Sequence, residues 1–269
     1  GVRRPEAWQA LGIAAEMRQA ELGDPQALKV ALADATKIAS GAHARHTPAI
    51  LAAAPKAARL VLLGSTRRFS RWNDAHGSGV LAGEAALLAS GRGGVMLHPT
   101  MIYGAEGEDN VRRLVELLKR LPLVPLPGGG RNLVQPIHQD DVTHCLLAAL
   151  EHEWRGPRAM VIAGPAPLPY ADFVRAVARA AGLAPPRIVN LPGWLLIAAS
   201  PLVAALRFLP RIRATELRRL MEDKAFQIGA MSATLGICPI PLDEGLARTF
   251  SPQEQPCRSS TASPSSTPR

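Results

Sequence analysis

Short apolar runs alternate along this chain with stretches of helical spacing, the order expected of βαβ units. Residues 25–35 read as a helix that Asp24 is placed to cap, with Leu28 and Leu32 on one face. A second helical stretch covers 47–58. The run Arg59-Leu60-Val61-Leu62-Leu63 then ends at Gly64-Ser65-Thr66 and predicts a buried parallel strand. The pattern continues with a helix over 83–90, a strand over 94–97 and a helix over 110–120 closed by Pro122. Gly128-Gly129-Gly130 predicts a mobile turn, 133–137 an extended segment, and Asp140 the cap of a helix reaching Leu150. A strand over 160–163 and a helix over 170–181 follow, the helix ending at Gly182. Beyond Pro185 the texture is apolar, helical and punctuated by proline as far as Phe250.

This order predicts an α/β fold, a Rossmann-like doubly wound parallel sheet with a smaller, mostly helical C-terminal part. Its expected boundaries are 1–165 for the sheet domain, 166–250 for the smaller region and 251–269 for a disordered tail rich in Ser, Thr and Pro. In open parallel sheets a ligand lies beyond the carboxyl ends of the strands. That rule points to the loops at 64–69 and 98–103, and to whatever follows Val2.

Composition narrows the function classes. With 47% hydrophobic but only 4% aromatic residues, the core rests on Ala, Leu, Val and Ile, as suits helices on a buried sheet. The net charge of +9 comes largely from scattered Arg pairs such as Arg67-Arg68 and Arg218-Arg219. No basic run is interleaved with aromatics, which argues against nucleic acid as a partner. Cys145, Cys238 and Cys257 are far apart, so neither a disulfide framework nor a Cys-only zinc site is expected, and the reading is cytoplasmic. Residues 191–209 are apolar, but Pro201 and Arg207 interrupt them. A buried or partner-facing helix pair is the reading there, with protein or membrane-surface contact as the alternative.

Four stretches in order resemble the extended short-chain dehydrogenase/reductase superfamily, in its NAD(P)-dependent epimerase/dehydratase group. They are Leu22-Gly23-Asp24, Leu60 to Thr66, the segment Leu97-His98-Pro99-Thr100-Met101-Ile102-Tyr103-Gly104, and Gln135-Pro136-Ile137-His138-Gln139-Asp140-Asp141-Val142. The resemblance implies NAD or NADP as cofactor. It implies a site in which Thr66 is the catalytic hydroxyl and Asp24 lies near the adenine. Pro99, Thr100, Met101 and Ile102 would wall the nicotinamide, and Gly64 and Ser65 would also bind the cofactor. Arg3 and Arg4 fall where a 2′-phosphate would be read, which favours NADP over NAD. Arg131, after three glycines, is a candidate clamp for an anionic substrate.

Two departures qualify that picture. The glycine loop that cradles a pyrophosphate is not found at the start of the chain, so the first βα unit is expected to be missing. Anchored on Glu84, the alignment puts His76 at the family's catalytic Tyr and Val80 at its Lys. Between Lys56 and Tyr103 there is neither a Tyr nor a Lys. Thr66 and His76 are then the local acid/base candidates. The plainer alternatives stay open: a strand-end hydroxyl satisfying backbone, a loop histidine, an Asp24 that only caps and an exposed Arg131. His138, Asp140 and Asp141 do not have convincing metal-ligand spacing, and no metal is expected. Two functions remain, an atypical NAD(P)-binding protein with weak or no activity and a non-enzymatic scaffold or accessory subunit.

Overall fold

The structure, a computed structural model, describes residues 9, 12, 14–72, 74–104, 109–121, 123–198 and 214–250. In helix α1 (Pro25–Ala31) the Asp24 carboxylate accepts from the N–H groups of Gln26 and Ala27. Strand β1 (Lys37–Ser40) leads through a tight turn at Ala44–His46 into α2 (Thr47–Ala53). Helix α2 stops earlier than its pattern predicts because Ala54 precedes Pro55 and is extended, with ψ 139°. The guanidinium of Arg92 donates to the carbonyls of Leu51, Ala54, Pro55 and Ala58, satisfying that helix end.

Strand β2 (Arg59–Leu63) carries the apolar run, and α3 (Ala75–Ala89) follows under an Asp74 cap. This helix is almost twice as long as the pattern predicts. Its early turns hold Gly77 and Gly79, which are weak helix formers. A Cβ on Gly83 would collide with the Ala44 carbonyl, so glycine lets α3 ride directly on the turn after β1. Strand β3 (Gly94–Pro99) is buried at every position. After it come β4 (Ile102–Tyr103), α4 (Asp109–Arg120), β5 (Leu123–Pro127), β6 (Leu133–Val134), β7 (Ile137–His138), α5 (Gln139–Glu151) and β8 (Pro157–Ile162).

Strands β1, β2, β3 and β8 form a four-stranded parallel sheet in that order. Alternation along β2 and β3 separates its two faces. Leu60, Leu62 and Met96 pack with Ile50 of α2 and with Val80 and Leu87 of α3. Val61, Val95 and Leu97 pack with Val142, Cys145 and Ala149 of α5. Helices thus cover both faces, the α/β architecture expected from the sequence.

The rest of the chain adds β9 (Leu168–Pro169), α6 (Tyr170–Ala180), β10 (Arg187–Leu191), α7 (Ala214–Arg219), α8 (Gly229–Leu235) and α9 (Leu242–Phe250). Small pairings tie it to the earlier segments, β10 with β5 and β6 with β9, and a further short pair joins β4 with β7. Met231 and Leu235 of α8 return to the second face of the main sheet. Packing therefore crosses residue 165 in both directions. Residues 193–198 are helical, with Trp194 71% and Leu195 41% exposed, while 199–213 and the tail from 251 lie outside the described residues. Among the described residues no helix is long and apolar enough to cross a membrane.

One expected cap is corrected. Helix α5 is capped by His138, whose Nδ1 accepts the Asp140 N–H at 3.3 Å, so Asp140 sits inside the first turn. Its carboxylate instead lies 3.5 Å from Arg248.

Candidate functional site

The carboxyl ends of β2 and β3 meet and are bonded together. Gly64 N–H donates to the Leu97 carbonyl at 2.8 Å, and Ser65 N–H to His98 Nδ1 at 3.1 Å. Thr66 Oγ1 donates to the Pro99 carbonyl at 3.2 Å. A Cβ on Gly64 would fall on the His98 imidazole, so glycine is what admits that ring beneath the turn. Gly64, Ser65 and Thr66 are therefore held against the end of β3; of these Thr66 lines the cleft, while Met101 and Ile102 pack against apolar clusters of the core. Thr100 is 6% exposed, and its Oγ1 has no hydrogen-bond partner among the described residues.

Beneath that turn lies a charged cluster that sequence reasoning used only as an alignment anchor. Glu84 Oε2 of α3 stands 2.8 Å from His98 Nε2 and 2.9 Å from Arg68 Nε, both approaching off the ideal hydrogen-bond line. Because His98 Nδ1 accepts from Ser65, a neutral ring carries its proton on Nε2, facing the carboxylate. Burial, then the nearby Arg68 charge, pushes the His98 pKa down to about 4. Burial also raises the Glu84 pKa, and Arg68 partly offsets it.

Along α3, the Glu84 contact fixes which face meets the sheet. One turn back, Val80 is 1% exposed in the apolar core. A further turn back, His76 is half-buried and packs edge-on against His43, the ring centroids 4.3 Å apart. Burial lowers the pKa of His76, with the charge of Arg67 and the neighbouring His43 adding to the effect. His76 is thus neutral near pH 7, the form a general base needs.

Asp24 is exposed and its carboxylate is occupied by the α1 cap. Arg131 is exposed just past the glycine turn, whose three residues all have positive φ. Its neighbour Asn132 is the residue that lines the cleft. Arg3 and Arg4 lie outside the described residues. His138 and Asp141 serve structure, the latter accepting the Ile240 N–H at 2.9 Å. Buried Cys145 has its thiol pushed up to about 12 by burial and by Asp141, which leaves it unreactive.

The cleft, of about 410 Å³, opens beside Thr66. Its opposite wall is the segment 219–226, which the sequence did not single out. Glu222 accepts from Ser70 Oγ at 2.9 Å and from Arg71 N–H at 2.6 Å. Asp223 accepts from Leu133 N–H at 2.8 Å, and Phe226 N–H donates to Gln135 Oε1 at 2.8 Å. Phe226 also packs on Phe69, ring centroids 5.5 Å apart.

No family profile and no curated protein matches the chain in sequence. Solved structures do match in fold. A NADPH-dependent quinone oxidoreductase from Escherichia coli, solved with NADPH, superposes with a TM-score of 0.70 at 18% identity, covering 93% of this chain and 89% of that one. A nucleoside-diphosphate-sugar epimerase from Staphylococcus aureus gives 0.66 at 13% identity, over 91% and 88%. A UDP-glucuronic acid 4-epimerase from Bacillus cereus, solved with UDP-glucuronic acid and NAD, gives 0.64 at 14% identity, over 90% and 82%. The chain shares with them a Rossmann-like α/β fold, a parallel sheet between helices with a smaller unit attached.

Proposed function

We propose that this chain is an atypical NAD(P)-binding protein of the extended short-chain dehydrogenase/reductase superfamily, in its epimerase/dehydratase group, weak or inactive in that group's usual acid–base chemistry. The observation that carries the reading is the joined end of β2 and β3, where the Thr66 hydroxyl is bonded to the Pro99 carbonyl at the carboxyl edge of a parallel sheet. Neighbours of the same fold were solved with NADPH or with NAD.

The residues present fit the nicotinamide end of such a cofactor. The buried Thr100 hydroxyl, next to Pro99, lacks a partner among the described residues, and we read it as the group that a nicotinamide would satisfy once the loop opens to admit it. In this reading Pro99, Met101 and Ile102 would supply apolar contacts to the cofactor, and Gly64 and Ser65 would lie beside it. Arg3 and Arg4 remain the proposed readers of a 2′-phosphate. When bound, the nicotinamide supplies a hydride donor or acceptor. The chain itself supplies the Thr66 hydroxyl and the neutral imidazole of His76 for proton movement. Neither replaces a Tyr whose pKa is lowered by a nearby Lys, and Val80 offers no charge at the position the resemblance gives that Lys.

That buried Val80 also favours the second reading, a non-enzymatic accessory subunit. Its partner contact would use 191–209, where Trp194 is already exposed.

Fluorescence titration with NADPH, followed by absorbance assays with NAD and UDP-glucose or UDP-glucuronic acid, separates these readings. The expected result is saturable binding with turnover below about 0.01 per second, far under the usual enzyme median. Fast turnover would overturn the weak-activity claim, and absence of binding would leave the accessory-subunit reading.

A further inference from the structure

The turn after β1 lies across α3 on a stripe of that helix formed by His76, Gly79 and Gly83. A Cβ on Gly79 would fall 2.8 Å from His43 Cε1 and 3.2 Å from the Arg45 Cβ, so glycine lets the turn come down beside His76. His43 and His76 are both half-buried and meet edge-on. His43 Nδ1 accepts the Arg45 N–H at 3.1 Å, and the His43 carbonyl accepts the His46 N–H at 3.0 Å. A neutral His43 therefore carries its proton on Nε2, and a further proton enters only at Nδ1, in place of the bond from Arg45. The pair stands among charges of mostly one sign. Arg45 and His46 belong to its own turn, Arg67 to the 66–69 turn and Arg219 to the 219–226 segment. The carboxylate facing it, Asp74, already accepts the Gly77 N–H at 2.7 Å and lies 3.7 Å from Arg67.

We propose that His43 and His76 form a pH-operated latch, which holds the turn at 41–46 on α3 while both rings are neutral and releases it as they take up protons. Protonation of His43 removes the acceptor of the Arg45 N–H, and protonation of both rings sets two like charges side by side. Burial, with the surrounding cations, holds both rings below the ordinary histidine value of 6.5. The latched form thus binds fewer protons than the released one, so the latch is shut at neutral pH and acid opens it. The turn follows β1 at the carboxyl edge of the sheet, next to the strand that ends at Leu63. Its release loosens the edge of the sheet beyond which a ligand lies.

The chain has 7 histidines, few enough to follow each ring C–H signal by NMR, with His43→Asn and His76→Phe assigning the pair. The free wild-type protein is titrated from about pH 7.5 to about pH 4.5. Both signals should titrate below 6.5. At the acid end the Arg45 and His46 amides should exchange at least about tenfold faster, corrected for the intrinsic effect of pH, while the β2 amides stay protected. His43→Asn keeps an acceptor for the Arg45 N–H, but one that does not titrate. There the acid acceleration should vanish, and His76 should titrate at a higher pH because the neighbouring charge is gone. A His43 that only shaped the turn would leave the His76 midpoint where it was. Equal protection of the Arg45 and His46 amides at both ends of the wild-type titration would overturn the proposal. So would acid acceleration retained in His43→Asn, or a His76 midpoint unmoved in the folded variant. No nucleotide is present in these measurements, so failure here and failure of cofactor binding are separate results.

Discussion

His98 Nε2 lies 2.8 Å from Glu84 Oε2, which ties the strand that ends at the candidate site to the helix packed beside it. The same ring holds the Ser65 N–H through Nδ1, so one imidazole links helix, strand and turn.

That arrangement sets a pH dependence. His98 is held well below the ordinary histidine value of 6.5, at about 4. Between those values the unfolded chain binds more protons than the folded one, so stability is full above pH 6.5 and declines as pH falls toward 4. The loss attributable to this ring reaches about 3 kcal/mol. Chemical denaturation across that window should show the slope, and His98→Asn, which keeps an acceptor for Ser65, should flatten it. An unchanged slope in a folded His98→Asn protein would mean that His98 does not titrate as described.

The close approach of α3 to the turn after β1 predicts opposite effects for two glycine substitutions. Gly83→Ala forces a methyl group into the Ala44 carbonyl and should cost about 1–3 kcal/mol, visible as a melting temperature lower by several degrees. Gly229→Ala, in α8 with open space around it, should raise stability by roughly 0.5 kcal/mol. A tolerated Gly83→Ala would contradict the helix placement.

Much of the sheet was legible because a strand buried on both faces is a continuous apolar run, as at Leu60 to Leu62. The β5–β10 pair was not, since Pro125 and Pro127 disguise a strand whose partner lies some sixty residues away. The first half of α3 was hidden by glycines whose value is the room they leave, which only the folded contact with His43 and Ala44 reveals. Of the candidate site, the Thr66 and Pro99 loops were readable from topology and resemblance. The 219–226 wall was not, because hydrogen bonds such as Glu222 to Ser70 join residues 152 apart and leave no local pattern.

Those bonds carry their own prediction. Glu222→Ala leaves the Arg71 N–H and Ser70 hydroxyl without their acceptor and should cost about 1–3 kcal/mol. Hydrogen exchange at Arg71 and Phe226 should accelerate while the β2 and β3 amides stay protected. Equal acceleration throughout the sheet would show that the segment is not a local clasp.

The most direct test of the central claim is titration of NADPH and NADH into the wild-type protein and Thr100→Val, followed by fluorescence and thermal shift. The wild type should bind at least one nucleotide saturably in the micromolar range. Thr100→Val removes a buried hydroxyl without a partner, so the free protein should be no less stable while nucleotide affinity falls about tenfold. No saturable binding of either nucleotide by the wild type, or affinity unaltered in Thr100→Val, would contradict a nucleotide pocket at the joined ends of β2 and β3.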